Sequence, residues 1–157
     1  MDRVYQVRPI GVARTPFAEQ AEAPIQGAFH PDTRGTIEVL AEYAEGLDDI
    51  EGFSHLILIY VLDRCESVTL KPLPFLDDDA HGIFATRNPR RPNHLGLTVV
   101  TLHRRDGATL HVGGIDVLDG TPIVDIKPYV PRFDAFPEAS EGWFAGREDR
   151  TKPPGRE

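Results

Sequence analysis

The sequence predicts a small, single-domain β-barrel that is mainly β-structure and not Rossmann-like. Three observations favour this fold: about seven short strand patterns follow one another, no long amphipathic helix separates them, and the 157 residues include 14 glycines and 14 prolines. Many short elements joined by turns are typical of small barrels. A doubly wound nucleotide-binding sheet would need helices between its strands and a glycine-rich turn that opens a helix, and the sequence contains neither.

The expected strands alternate with turns along the chain. Apolar and β-branched residues predict strands at Val4–Val12, Thr36–Leu40, His55–Leu62, Gly82–Ala85, Leu95–Leu102, Thr109–Ile115 and Pro122–Ile126. Asp106 and Gly107 predict a hairpin turn, because glycine accepts a positive φ. Residues 41–53 look helical, and Gly46 and Gly52 limit that helix to a turn or two. We expect residues 1–144 to form the barrel domain and the charged residues 145–157 to form a mobile tail.

The composition argues against several classes of protein. The longest apolar run, Leu56–Leu62, is far below the ~20 residues of a membrane-spanning helix, and the first residues lack a signal-peptide pattern. A single cysteine, Cys65, cannot form an internal disulfide, so a cytoplasmic protein without membrane association is expected. The six histidines show no metal-ligand spacing, and we expect no metal site.

The charge is unevenly distributed. The net charge of −8 argues against indiscriminate nucleic-acid binding, because phosphates would be repelled at long range. Residues 38–51 carry six acids and no base, whereas residues 80–115 carry five arginines and one aspartate. A local basic face on an acidic body is therefore compatible with the composition.

The segment TRNPRRPNH, residues 86–94, is the first candidate site. Pro89 and Pro92 fix φ and reduce the entropy lost when the loop becomes ordered, so its arginines would be preorganised for carboxylates or phosphates. The pattern equally allows a solvated loop whose arginines pair with the acidic segment.

The segment GIDVLDGTPIVDIKPYVP, residues 114–131, is the second candidate. Asp119 and Gly120 predict a turn, whereas Asp116 and Asp125 lie within strand-like runs. A buried carboxylate costs several kcal/mol unless it is paired, so each needs a cationic, backbone or ligand partner. Gly113 and Gly114 would let a ligand approach the backbone closely, and together these features predict a pocket floor. The segment EAPIQGAF, residues 22–29, is a weaker candidate, for which a surface loop is the alternative.

These segments, with GLDDIEGFSHLILIYVL, resemble one family. The patterns FATRxPxRPNxxGLT and DxLDGTPxxDIKPYxP resemble those of the TrmO/TsaA-like (YaeB-like) tRNA (adenine-N6)-methyltransferases, in their short form, over roughly residues 7–143. The resemblance implies a β-barrel homodimer that binds S-adenosylmethionine near the dimer interface. It implies methylation of N6 of threonylcarbamoyladenosine at position 37, beside the anticodon of threonine tRNA. Two residue groups depart from the pattern: His94 stands where many members have proline, and Asp63 and Arg64 lie where the family varies.

Motif positions in this family imply roles for individual residues. Cofactor contacts are implied for Pro24, Ile25, Gln26, Asp63, Arg64, Arg87, Leu97, Gly113, Gly114, Ile115 and Asp116. We interpret Arg90, Arg91, Arg104 and Arg105 as phosphate contacts, since arginine suits phosphate. Asp119, or a backbone carbonyl of its turn, is the expected acceptor of the N6 proton, and Tyr129 the expected stacking surface. Two other functions stay open: methylation of a small molecule, and a non-catalytic module that binds S-adenosylmethionine.

Overall fold

The structure is a computed structural model that describes residues 3–19, 22–24 and 30–147. Six antiparallel strands close into a barrel in the order β1-β2-β5-β4-β3-β6. The strands are β1 (Gly11–Arg14), β2 (Arg34–Val39), β3 (His55–Val61), β4 (Leu95–Asp106), β5 (Thr109–Gly113) and β6 (Pro122–Pro128). The predicted fold class, a mainly β small barrel, is confirmed.

The core follows from alternation along the strands. Successive side chains point to opposite faces, and the inward-facing positions of β2, β3, β4 and β5 are aliphatic. The fully buried members include Ile37, Leu56, Leu58, Leu110 and Val112. The outward-facing partners on β2 and β5 are polar, whereas those on β3 and β4 are largely apolar.

The antiparallel pairing gives the barrel two distinct ends. One end of the barrel, which we call the upper end, is where β1, β3 and β5 finish and where β2, β4 and β6 begin. The residues there are Arg14, Arg34, Val61, Leu95, Gly113 and Pro122. At the opposite, lower end lies the acidic segment, which forms the 3₁₀ helices Ala41–Leu47 and Ile50–Gly52, as its glycines predict.

Two predicted strands are wrong. The predicted strand Val4–Val12 bonds to its neighbours only from Ile10 onwards, since Val4 and Tyr5 are exposed and Pro9 has no N–H to donate. Gly82–Ala85 is not a strand: the amide of Ala85 donates to the Gly82 carbonyl oxygen at 2.9 Å, and Ile83–Ala85 is a 3₁₀ helix. The described part of the chain therefore contains six strands rather than about seven.

The segment after β6 packs back against the loop that leads to residues 86–94, which we call the arginine segment. The short helix α1 (Pro131–Asp134) is followed by a 3₁₀ turn, Gly142–Phe144. Trp143 stacks on His81 with 4.2 Å between ring centroids, and its Nε1 donates to the Ala85 carbonyl oxygen at 2.7 Å. We call this contact, with the ion pairs described next, the Trp143 clamp.

A buried carboxylate completes the clamp. Asp77 lies 2.9 Å from Nε2 of His81 and 2.8 Å from Nη2 of Arg147. The hydrogen bond from His81 is the largest cause that lowers the pKa of Asp77 to about 2, and the amide of Asp78 and the charge of Arg147 act in the same direction. Arg147 lies beyond the expected domain boundary at residue 144, so packing continues to at least residue 147; residues 148–157 lie outside the described part of the chain.

Candidate functional site

The site is centred on Tyr60, which β3 carries to the upper end of the barrel. Tyr60 faces inward, as Leu56 and Leu58 do, and pairs with Gly96 on β4. A Cβ atom at Gly96 would lie 2.2 Å from Cε2 and 2.8 Å from the hydroxyl oxygen of Tyr60. Gly96 is therefore required for the Tyr60 ring to lie directly against the β4 backbone.

Two opposite charges act on the Tyr60 hydroxyl. Burial raises the pKa of Tyr60, the negative charge of Asp116 raises it further, and the positive charge of Arg87 lowers it. Both charges therefore act on the hydroxyl, which stays protonated at neutral pH. Asp116 is half-buried and Arg87 is exposed, and both act electrostatically on this one hydroxyl. That they line one pocket stays a prediction, as does their role as ligand contacts.

Asp116 reaches this place from a loop, not from a strand as the sequence suggested. Gly114 has a φ of +70°, which L side chains rarely adopt, and its amide donates to the Thr33 carbonyl oxygen at 2.9 Å. The left-handed residue ends β5 directly after Gly113. Ile115 then inserts fully into the core, which leaves its backbone as the part that a ligand could contact.

Gly113 is explained by a contact within the protein. A Cβ atom there would lie 2.4 Å from Nε2 of His103 and 3.1 Å from the Pro31 carbonyl oxygen. The close approach that the sequence analysis assigned to a ligand is thus made by a histidine ring. The prediction that this glycine opens the backbone to a ligand is not supported at Gly113.

The Asp119 turn lies at the same end of the barrel. Gly120 has a φ of +79°, as the predicted turn requires. Oδ1 of Asp119 accepts a hydrogen bond from the amide of Thr15 at 3.1 Å, and Nη2 of Arg64 donates to the Asp119 carbonyl oxygen. The structure therefore brings Arg64 and Asp119 together. Asp63, beside Arg64, is exposed.

Asp125 is not a buried carboxylate. Its side chain is 42% exposed and lies 2.8 Å from Nζ of Lys127 on the same face of β6. This pair accounts for a charged residue within the strand. The sequence analysis was wrong to expect a buried group there.

The arginine segment is held in place by hydrogen bonds between its own residues. Nη1 of Arg91 donates to the Thr86 carbonyl oxygen at 3.0 Å, and the amide of Arg90 donates to Oδ1 of Asn88 at 2.9 Å. His94 has a φ of 48°, in the left-handed region. Proline cannot adopt this angle, so the backbone conformation at position 94 requires a residue other than proline.

Two other expected phosphate contacts are engaged within the protein. Nη1 of Arg105 donates to the Leu47 carbonyl oxygen at 2.9 Å and lies 3.4 Å from Oε1 of Glu51, and its side chain is only 19% exposed. Arg105 therefore anchors the acidic segment at the lower end, which corrects its interpretation as a phosphate contact. Arg104 is exposed and lies 3.2 Å from Oδ2 of Asp106.

Tyr129 lies at the other end of the barrel, and Leu97, although it is adjacent to Gly96, has its side chain on the outer face. Tyr129 follows β6, whose seven residues rise by ~3.3 Å each, so it lies about 20 Å from the Asp119 turn along the strand. Its amide donates to the His55 carbonyl oxygen at 3.1 Å, at the lower end. Leu97 faces outward and is 51% exposed, on the opposite face of β4 from Gly96. One barrel does not bring either residue to Tyr60.

The segment that holds the remaining expected contacts is only partly described. Pro24 is half-buried, whereas Ile25 and Gln26 lie outside the described residues. No group of three metal-ligating side chains occurs within residues 3–19, 22–24 and 30–147. Over the same ranges, none of the helices combines the length and apolar character that crossing a bilayer demands.

The sequence analysis missed Tyr60, Gly96 and the Trp143 clamp. Tyr60 is the one hydroxyl in the apolar run 56–62, and Gly96 is a glycine inside a strand, which signals a close approach. These two signals were available. The clamp was not predictable, because it joins residues about 60 positions apart without a shared pattern.

The comparisons with known proteins agree with this fold. A Pyrococcus abyssi protein named as a probable S-adenosyl-L-methionine-binding protein is 48% identical over 137 residues, which cover 87% of this chain and 74% of that protein. The tRNA (adenine(37)-N6)-methyltransferase of Escherichia coli is 35% identical over 149 residues, which cover 88% of this chain and 63% of the relative.

A solved structure gives the same result in three dimensions. The crystal structure of TrmO from Pseudomonas aeruginosa matches with a TM-score of 0.76 and 37% identity, over 90% of this chain and 63% of the solved chain. This chain thus spans less than two thirds of that structure. The model of the tRNA-methyltransferase O N-terminal domain matches residues 12–135, which contain β2 to β6, Tyr60, Arg87 and Asp116. The chain belongs to the tRNA-methyltransferase O (TrmO) family.

Proposed function

We propose that this protein transfers a methyl group from S-adenosylmethionine to N6 of an adenosine in tRNA. The proposed substrate is N6-threonylcarbamoyladenosine at position 37 of threonine tRNA, which would be met in the cytoplasm. Family membership and the name of the Escherichia coli relative support the reaction class. The observation that carries the proposal is that the charges of Asp116 and Arg87 both act on the Tyr60 hydroxyl, which β3 carries to the upper end of the barrel.

The chemistry of these side chains fits the cofactor. S-adenosylmethionine carries a carboxylate, an ammonium group and ribose hydroxyls, and it supplies an electrophilic methyl group when bound. We assign Arg87 to the carboxylate, because a guanidinium fork matches carboxylate geometry. We assign Asp116 to the ammonium group or the ribose hydroxyls. Arg91 holds the Thr86 carbonyl oxygen and so fixes the backbone that positions Arg87.

Methylation of N6 would form a carbon–nitrogen bond while the methyl carbon–sulfur bond of the sulfonium donor breaks and leaves a neutral thioether, and N6 would release one proton. We propose Asp119, or a carbonyl oxygen of its turn, as the proton acceptor. The hydrogen bond from Thr15 holds the carboxylate in place, and Arg64 fixes the turn through the Asp119 carbonyl oxygen. A fixed acceptor lowers the barrier because it needs no reorganisation while the nitrogen becomes positive.

A homodimer would account for the two implied contacts that one barrel leaves outside the site. The outer face of β3 and β4 carries three exposed aliphatic side chains, Leu95, Leu97 and Val99, each paired across the strands with an aliphatic residue of β3. We propose this face as the dimer interface, from which a second copy would supply contacts such as Tyr129. Leu97→Asp should yield monomers in light scattering, whereas Val4→Asp, an exposed control, should not; a dimeric Leu97→Asp variant refutes the interface.

A second function is favoured by a specific observation. The relative from Pyrococcus abyssi is named only for binding S-adenosylmethionine. A module that binds the cofactor without methyl transfer would use the same Arg87 and Asp116 contacts. It would not need Asp119, so this residue separates the two functions.

Methyl transfer from labelled S-adenosylmethionine tests the proposal directly. Purified protein is incubated with threonine tRNA with or without its threonylcarbamoyl group, with a second tRNA, and with a pool of small metabolites. The proposal expects label in the threonylcarbamoylated tRNA, at position 37 by mass spectrometry of nuclease fragments. Asp119→Asn should lose turnover while cofactor affinity measured by calorimetry is kept.

Each contrary outcome identifies a different error. Label in a metabolite and none in tRNA would replace the proposed acceptor by a small molecule. Tight cofactor binding without label in any acceptor would favour the binding module. Full turnover by Asp119→Asn would remove the assignment of that carboxylate as proton acceptor, and the backbone carbonyl would remain.

A further inference from the structure

A cationic groove lies on the outer face of the barrel at the upper end. Arg14 on β1 pairs with Thr36 on β2, and Thr36 pairs with His111 on β5, so the three side chains form one row across three strands. Strands lie ~4.8 Å apart, which makes the row about 10 Å wide. Arg34, two residues before Thr36 on the same face, extends the row. These residues line an open groove of about 360 Å³.

The groove keeps much of its positive charge. Arg14 lies 3.1 Å from Oε2 of Glu38, but its side chain is 50% exposed, so this ion pair is partly solvated. Nη1 of Arg34 contacts Nε2 of His103. Burial, followed by the charge of Arg34, lowers the pKa of His103, so at neutral pH the ring is uncharged and adds no repulsion.

The groove adjoins the candidate site. Thr15, part of its wall, donates from Oγ1 to the Val117 carbonyl oxygen at 2.9 Å and from its amide to Oδ1 of Asp119 at 3.1 Å. Val117 and Asp119 belong to the loop between β5 and β6, which also carries Asp116. Thr15 therefore connects the groove to this loop. A polymer bound in the groove would therefore pass beside Thr15, which is hydrogen-bonded to the proposed proton acceptor, Asp119.

The chemistry of the groove favours a polyanion. Two guanidinium groups, a threonine hydroxyl and an imidazole are donors that phosphate oxygens accept, and arginine binds phosphate bidentately. The shallow form suits an extended backbone better than a small molecule, which proteins usually enclose in a deeper cavity. The arginines that the sequence suggested for this purpose are partly engaged elsewhere, Arg105 most clearly.

We propose that the groove of Arg14, Arg34, Thr36 and His111 binds phosphodiester groups of the RNA substrate beside the methylation site. This inference rests on the proposed function, because it takes tRNA as the substrate. It also explains how a chain with a net charge of −8 would bind RNA: of the six acids of residues 38–51, only Glu38 reaches the groove, where it pairs with Arg14, and the other five lie at the lower end.

The salt dependence of tRNA affinity tests this inference. Each phosphate contact contributes about 0.7 to 0.9 to the slope of log affinity against log salt. Arg34→Gln should reduce the slope by about that amount, and the double variant Arg14→Gln with Arg34→Gln by about twice as much. Arg34→Lys should retain the slope, because it keeps the charge. Arg132→Gln, which removes the same charge beside the lower end, is the matched control and should leave the slope near that of the wild type.

Two further measurements separate the possible failures. Thermal unfolding and calorimetric binding of S-adenosylmethionine should be the same for all variants as for the wild type, which excludes a folding defect. An unchanged salt slope for the double variant, with tight tRNA binding by the wild type, overturns the groove and leaves the proposed function intact. Failure of the wild type to bind tRNA overturns the groove together with the proposed substrate.

Discussion

Replacing Gly96 by alanine tests whether the Tyr60 ring organises the site. The added Cβ would lie 2.2 Å from Cε2 of Tyr60, whereas ordinary contacts begin at 3.4 Å, so the ring must retreat by about 1.2 Å. Overpacking of this kind costs ~1–3 kcal/mol. For a chain of this length that free energy lowers the melting temperature by about 2–12 °C. The retreat moves the hydroxyl relative to Asp116 and Arg87, so cofactor affinity should fall as well.

A second substitution separates the effect on packing from the effect on the site. Tyr60→Val removes the ring that clashes, so the double variant with Gly96→Ala should recover part of the stability in urea unfolding. It should not recover calorimetric affinity for S-adenosylmethionine, because the hydroxyl is absent. Contacting residues of this kind show coupling free energies of ~0.5–3 kcal/mol in double-mutant cycles.

The matched control is Gly46→Ala. No atom lies within 4 Å of a Cβ placed at Gly46, so stability and cofactor affinity should stay close to those of the wild type. If Gly96→Ala behaved like Gly46→Ala in both assays, the reasoning about the Tyr60 ring would be refuted.

Three other predictions concern the elements that support the site. Because the pKa of Asp77 is lowered, the contribution of its carboxylate to stability is present above the ordinary pKa of 3.8 and is lost as the pH falls towards about 2. Asp77→Asn should therefore lower the unfolding free energy at pH 6. It should also flatten the dependence of the unfolding free energy on pH below 4. His94→Pro should destabilise by more than ~1 kcal/mol in urea unfolding, because proline cannot adopt a φ of 48° and removes the amide that donates to the Arg91 carbonyl oxygen; equal stability would contradict this. Arg105→Ala should lower the unfolding free energy by ~1–3 kcal/mol, because the Leu47 carbonyl oxygen loses a charged donor, and an unchanged denaturation midpoint would refute its structural role.

The barrel strands were predictable where one face is buried. His55–Val61 and β6 were predicted to within two residues, because a run of β-branched and aliphatic residues leaves few alternatives to a core strand. The segment Gly82–Ala85 shows where this reasoning fails. Its composition is strand-like, but of its three 3₁₀ residues only Ile83 is buried, and local hydrogen bonds replace the ladder.

The candidate site was only partly predictable. Asp116 and Arg87 could be singled out, because a carboxylate among apolar residues and a preorganised arginine each require a partner. Tyr60 stands out in the sequence as the one hydroxyl of the apolar run 56–62, but that Asp116 and Arg87 act on it could not be predicted, since this depends on the closure of the sheet. Tyr129 was placed with Asp119 because both lie in one motif, but the intervening strand separates them.

The exposure and the partners of individual arginines were the features least predictable from the sequence. Arg104 and Arg105 are adjacent in sequence, yet Arg104 is exposed while Arg105 is held beside Leu47, 58 positions away. Local composition does not contain this information, because the partner depends on how the sheet closes. The cationic groove arises in the same way, from residues on three strands.

The affinity of Asp116→Asn for S-adenosylmethionine is the measurement that tests the central claim most directly. The substitution keeps the shape of the side chain and removes its charge beside Tyr60. A hydrogen bond to a charged group is worth ~1.5–3 kcal/mol, so calorimetry should record a loss of affinity of about 10-fold to 150-fold with little change in melting temperature. Wild-type affinity in this variant would contradict the assignment of the upper end of the barrel as the cofactor site.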